Sequence, residues 1–148
     1  FSCKNFMPRT GALLPLSREH HTSLVMARAA RKAADDNDPV ACLAAIARIE
    51  AHWHNLLAAH FEQEEQLIQL ALETLDRESV ARILAEHAEL RALASGHCAL
   101  EPTERLRRFA DLVAAHVRYE ERVFFPQLQL HPCIASKATS HSINHPER

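Results

Sequence analysis

Apolar residues recur every three to four positions through four stretches of the chain, and short polar breaks separate them. The first stretch opens after Ser17, read as an N-cap before Arg18, Glu19 and His20, and runs to about Ala34. Asp35 to Pro39 is the break, with Asp38 as the next N-cap and Pro39 at the first helical position. The second helix is then expected from Pro39 to about Glu73, with a fray or kink near its end. The third begins at Asp76 to Ser79 and stops at Ser95 and Gly96, a glycine suited to ending a helix. Glu101 and Pro102 open the fourth, which ends near Phe125 and Pro126 or a few residues beyond. The three connections are short, so neighbouring helices run antiparallel. The pattern predicts an all-α fold, an up-down-up-down four-helix bundle over residues 8–130. Residues 1–7 form an N-terminal extension in which Met7 is the expected start, and residues 131–148 read as a mobile tail.

The phase of each stripe sorts the polar residues. Ile46, Trp53, Leu57, His60, Glu64, Leu67 and Ala71 share one face of the second helix. Leu106, Phe109, Val113, His116, Glu120 and Val123 do so on the fourth, and Val80, Leu84, His87, Leu90 and Ala94 on the third. On the first helix the stripe through His20, with Leu24 and Ala27, is more apolar than the one through His21, with Val25 and Arg28. This favours His20 as the inward residue and leaves His21 as the alternative. Glu62, Glu65 and Glu121 fall off the stripes and are expected in solvent, with Glu65 and Glu121 able to rotate inward as alternates. His52 and His54 are placed at the end of the bundle or on its surface, and His97 with Cys98 in the turn after Gly96. Tyr119 is a possible donor to a ligand carboxylate. His131, His141 and His145 are expected to be solvated, and Phe61, Phe124 and Phe125 to pack in the core.

Composition narrows the chemistry. Two glycines in 148 residues and a 47% hydrophobic content fit a helical domain with a sizeable core. A net charge of −2 argues against nucleic acid as a partner. No apolar run reaches the roughly 20 residues that span a bilayer, so no membrane role is expected. Cys3, Cys42, Cys98 and Cys133 are scattered without CxxC spacing and read as free thiols of a cytoplasmic protein.

His60 and Glu64, and again His116 and Glu120, are four residues apart. On a helix this is about 400° of rotation and roughly 6 Å of rise, so imidazole and carboxylate share a face. Unpaired, each inward glutamate would cost several kcal/mol, and no basic residue lies on the stripes near the centre to neutralise it. Metal cations answer that cost. His20 and His60 can serve one ion and His87 and His116 another, with Glu64 and Glu120 bridging. Imidazole with carboxylate suits two iron ions, with manganese or zinc as lesser candidates.

Four segments carry a family likeness: Leu16 to His21, His60 to Glu65, Glu86 to Arg91, and His116 to Pro126. In this order the chain resembles bacterial hemerythrin-like proteins of the HHE cation-binding family. The resemblance implies a four-helix bundle holding a non-haem di-iron centre bridged by two carboxylates. It implies terminal histidines at His20, His60, His87 and His116, and bridges at Glu64 and Glu120. Two departures stand out. Oxygen-carrying members have a second histidine on the third helix where this chain has Arg91, and their fourth-helix carboxylate is an aspartate five residues after the histidine. The expected function is binding of dioxygen or a related small ligand, for storage or sensing. The alternatives are a redox enzyme acting on peroxide, nitric oxide or O2, and an iron-handling or regulatory domain.

Overall fold

The computed structural model describes residues 11–132 and 134. The expected start at Met7, Cys3, Cys133, His141 and His145 lie outside the described residues. The first bundle helix is α1 (Leu13–Asp36). The second comprises α2 (Pro39–His52), a π-helical turn (Trp53–Leu57) and α3 (Ala58–Ala71), and frays into a 3-10 turn (Leu72–Thr74). The third is α4 (Arg77–Ser95). The fourth comprises α5 (Pro102–Tyr119), a second π-helical turn (Glu120–Phe124) and α6 (Phe125–Gln129). No strand occurs among the described residues. The first helix packs along the fourth and the second, and the third along the fourth and the second, closing a four-helix bundle.

The helix ends follow local chemistry. Asp38 accepts a hydrogen bond from the Ala41 N–H at 2.9 Å, and Pro39 follows it where no N–H is needed. Asp76 does the same for the Ser79 N–H. Gly96 ends the third helix at φ 97°, a conformation that only glycine adopts freely, and a Cβ there would stand 3.3 Å from Glu50 Oε2. Arg105 Nε donates to the Leu93 carbonyl at 2.7 Å, tying that exposed end to the fourth helix. The first helix begins at Leu13, four residues before the expected cap. Leu13 and Leu16 are buried in the core, and that burial carries the helix past Ser17. Ser17 is therefore interior, and its hydroxyl donates to Glu121 Oε2 at 2.6 Å.

Two apolar clusters fill the bundle. One is built around Ile49, Trp53, Phe61, Leu90, Phe109 and Val113, the other around Leu13, Leu16, Ile68, Ile83, Phe124, Phe125 and Leu128. The second takes in Ile134, and His131 beside it is buried as well. The structured chain thus continues past residue 131, where a mobile tail and a solvated histidine were expected. Val123 and Leu84 are exposed, although both lie on the sequence-derived stripes. The π-helical turn at Glu120 adds a residue to the helical phase, so Phe124 and Phe125 face inward in place of Val123. On the third helix Ile83, four residues before His87, takes the inward position in place of Leu84. No described helix is long and apolar enough to cross a membrane.

Candidate metal centre

Between the two apolar clusters lies a polar layer. His20, His60, Glu64, His87, His116 and Glu120 are all buried, and both glutamates are 0% exposed. His21 is exposed, so His20 is the inward histidine of the first helix. Every one of the six residues singled out from the sequence reaches the layer. Their ligand atoms form two sets, His20, His60, Glu64 and Glu120, and Glu64, His87, His116 and Glu120, each with its atoms within 4.8 Å of one another. The same two carboxylates belong to both sets. Phe61 stacks on His87 at 3.9 Å from one cluster, and Phe125 on His20 at 5.3 Å from the other, so the layer is sealed from both ends.

Each imidazole is held by its outer nitrogen. Glu19 Oε1 lies 2.7 Å from His60 Nδ1, Glu65 Oε2 2.8 Å from His87 Nδ1, Glu86 Oε1 2.6 Å from His116 Nδ1, and Glu121 Oε2 2.7 Å from His20 Nδ1. The partners run in a closed ring, first helix to second, second to third, third to fourth, and fourth back to first. A carboxylate at Nδ1 fixes the ring orientation and turns Nε2 to the centre. Glu65 and Glu121 are thus half-buried orienting groups and not solvated ones. Sequence reasoning passed over Glu19 and Glu86; the available signal was a glutamate directly before each of His20 and His87. Tyr119 donates to Ser79 Oγ at 2.8 Å, and not to a carboxylate of the centre. His52 is buried and bonded to Ser23, whereas His54 is exposed and His97 contacts Ser95 in the turn after the third helix. Arg91 is exposed and stands 3.8 Å from Glu65 Oε2.

Two inner contacts are hydrogen bonds, His20 Nε2 with Glu120 Oε1 and His87 Nε2 with Glu64 Oε1, both at 2.8 Å, and the others are close but unmatched. His60 Nε2 is 2.7 Å from Glu64 Oε2, and His116 Nε2 is 3.2 Å from Glu120 Oε2. Yet Glu64 Oε2, Glu120 Oε2 and His116 Nε2 have no hydrogen-bond partner. Buried oxygens and a ring nitrogen without partners are costly. Groups that converge on one interior point with part of their bonding capacity unmet form a cation cradle. Without a cation the imidazoles carry the charge. Burial pulls His20 down, but hydrogen bonds to Glu120, Glu121 and Glu64 outweigh it and push its pKa to about 11. For His87 burial is likewise outweighed by Glu120 and Glu64, and its pKa rises to about 10. Burial of His116 is outweighed by the charge of Glu120 and its bonds to Glu120 and Glu86, and its pKa reaches about 9. His60 is also raised: burial opposes, and Glu64 prevails. Burial pushes Glu64 and Glu120 up, and the charge of Glu120 adds to this at Glu64, but the surrounding imidazoles hold both below the ordinary carboxylate value. Two divalent cations would carry the same charge as the four imidazole protons they displace, and the donor set fits them.

A small cavity adjoins the layer on the side of the Trp53 cluster. It is lined by the imidazoles of His20, His60 and His116, by Ser23, and by apolar side chains that include Phe61, Leu90 and Val113. The space open to the centre of a water-sized sphere is ≈ 10 Å³, about what a single water needs.

A family model described as the hemerythrin HHE cation binding domain matches residues 15–128. No curated protein and no solved structure matches the chain. The match takes in all four bundle helices and all six converging residues. This chain belongs to the hemerythrin HHE cation-binding domain family.

Proposed function

We propose that the centre holds two iron ions and binds dioxygen or a related diatomic molecule, for storage or sensing, in the cytoplasm. In this reading His20 and His60 hold one ion, His87 and His116 the other, and Glu64 and Glu120 bridge them. The observation that carries it is the pair of two-histidine, two-glutamate sets sharing the same two carboxylates. Nitrogen and carboxylate oxygen in equal number suit iron better than the thiolate-rich or closed tetrahedral sets of structural zinc. When bound, iron supplies an electron-rich site able to take a diatomic ligand reversibly. The protein supplies the rest. The outer glutamates hold the imidazoles in one orientation, the two aromatic lids exclude water, and the cavity limits any guest to a few atoms. Cytoplasmic placement is supported by Cys42 and Cys98, which are free thiols.

Anaerobic purification, a metal count and a spectrum before and after air test this reading. The expected result is close to two irons per chain and an absorption band that appears with O2 and fades when O2 is removed. A metal-free protein, or irreversible bleaching after one exposure, would overturn it.

A further inference from the structure

Ser23 and His52 form a buried polar pair that the metal-facing shell does not use. Ser23 stands one turn beyond His20 and is 4% exposed; His52 ends α2 and is 7% exposed. Ser23 Oγ lies 2.9 Å from His52 Nε2. The π-helical turn that begins at Trp53 accounts for the inward aim of His52. Eight residues separate His52 from His60, which on an unbroken α-helix leaves an offset of about 80°. A π-helical turn absorbs one extra residue and cancels most of that offset. Both histidines then face the first helix, where His60 meets Glu19 and His52 meets Ser23.

Ser23 also lines the cavity beside the centre. The three imidazoles on that wall have their outer nitrogens committed to Glu121, Glu19 and Glu86. The other lining side chains are apolar, so among the described residues the Ser23 hydroxyl is the polar group on this wall outside the metal-facing set, and its bond to His52 leaves it capacity for one more. A hydroxyl has one proton and two lone pairs, and a neutral imidazole carries its proton on either nitrogen. With the proton on His52 Nε2, the ring donates to Ser23 Oγ and frees the serine proton for the cavity. With the proton on Nδ1, Ser23 donates to the ring and offers the cavity a lone pair. The pair can therefore donate or accept without placing a net charge in the interior.

We propose that Ser23 and His52 form the hydrogen-bonding pair for a small polar guest in this cavity. Ser23 touches the guest, and His52 is the positioning residue that sets the direction of the serine proton. The proposal rests on the ligand-binding reading above. The test uses the full chain loaded with ferrous iron, nitric oxide as the probe, and an iron count for each variant. In the wild type the N–O stretching band is expected to shift between H2O and D2O. Ser23→Ala is expected to remove that shift and speed nitric oxide release about fivefold, the worth of one neutral hydrogen bond, at unchanged iron content. Ser23→Thr, which keeps the hydroxyl, is expected to restore both, and His52→Gln to weaken the D2O shift. Wild-type release and an intact D2O shift in both Ser23→Ala and His52→Gln would overturn the pair's role and leave the ligand reading standing. A wild type that carries two irons but takes up no nitric oxide would overturn both.

Discussion

Glu65 Oε2 and His87 Nδ1 lie 2.8 Å apart across the boundary between the second and third helices. The other nitrogen of the same ring is 2.8 Å from Glu64 Oε1, so consecutive glutamates of one helix grip both ends of an imidazole on the next. Glu64 faces the centre and Glu65 stands behind the ring. Groups that orient a ligand from behind typically contribute about 10- to 100-fold in metal affinity.

Glu65→Gln keeps an oxygen at that place but removes its charge. It is expected to weaken the binding of one of two metal ions by about 10- to 100-fold, with helical content unchanged. Competition against a chelator measures this, and an unchanged affinity would show that Glu65 has no orienting role.

Glu120→Ala removes a carboxylate shared by both ligand sets. Loss of at least one of two metals is expected, read by elemental analysis. The metal-free protein should also lose stability, by about 3–5 kcal/mol, because buried charged imidazoles remain without their partner. Denaturant unfolding with and without metal separates the two effects. A variant that folds and binds metal like the wild type removes the argument for the centre.

The metal-free bundle should weaken as solution turns alkaline. The pKa values of His20, His87 and His116 are raised from 6.5 to about 11, 10 and 9. A raised value gives stability that is fully present below pH 6.5 and is lost as pH climbs through the folded-state values. Glu64 and Glu120 sit below 4.5, so their contribution is present above that pH and is lost on acidification. The melting temperature of chelator-treated protein is expected to peak between these limits and fall through pH 9 to 11. Metal-loaded protein, whose inner nitrogens carry no proton, should not show the alkaline fall, and loading at pH 7 should release up to four protons. A flat alkaline profile without metal would contradict this assignment.

Phe61 is 1% exposed and stacks on His87. Phe61→Ala is expected to cost about 3–5 kcal/mol in stability. It should also open the adjoining cavity to larger guests, seen as uptake of probes that the wild type excludes. Denaturant unfolding and probe binding together check it, and a loss under about 1 kcal/mol would mean that the site collapses onto the gap.

The six converging residues were legible because helical phase is a local property. His116 and Glu120 need only their own helix to share a face, and the apolar residues a turn away show which face is inward. Val123 and His52 were misread for a physical reason. Val123 lies within one π-helical turn and His52 directly before the other, and one extra residue in such a turn shifts the phase across it by about 100°. Spacing in the chain does not reveal where a helix widens.

Local periodicity, capping residues and the cost of burying carboxylates were enough to place four helices and to bring two His–Glu pairs, with His20 and His87, to one interior layer. Tertiary packing decided the ring of outer carboxylates. Its partners are separated by 41, 22, 30 and 101 positions. Contacts across helices depend on the rotation and axial offset of one rod against another, and these are set by how the two apolar clusters fill the bundle. The same packing set Ser23 opposite His52 and left the small cavity beside them. Periodicity along one helix carries no term for either quantity, so the inner shell could be read from the chain and the shell behind it could not.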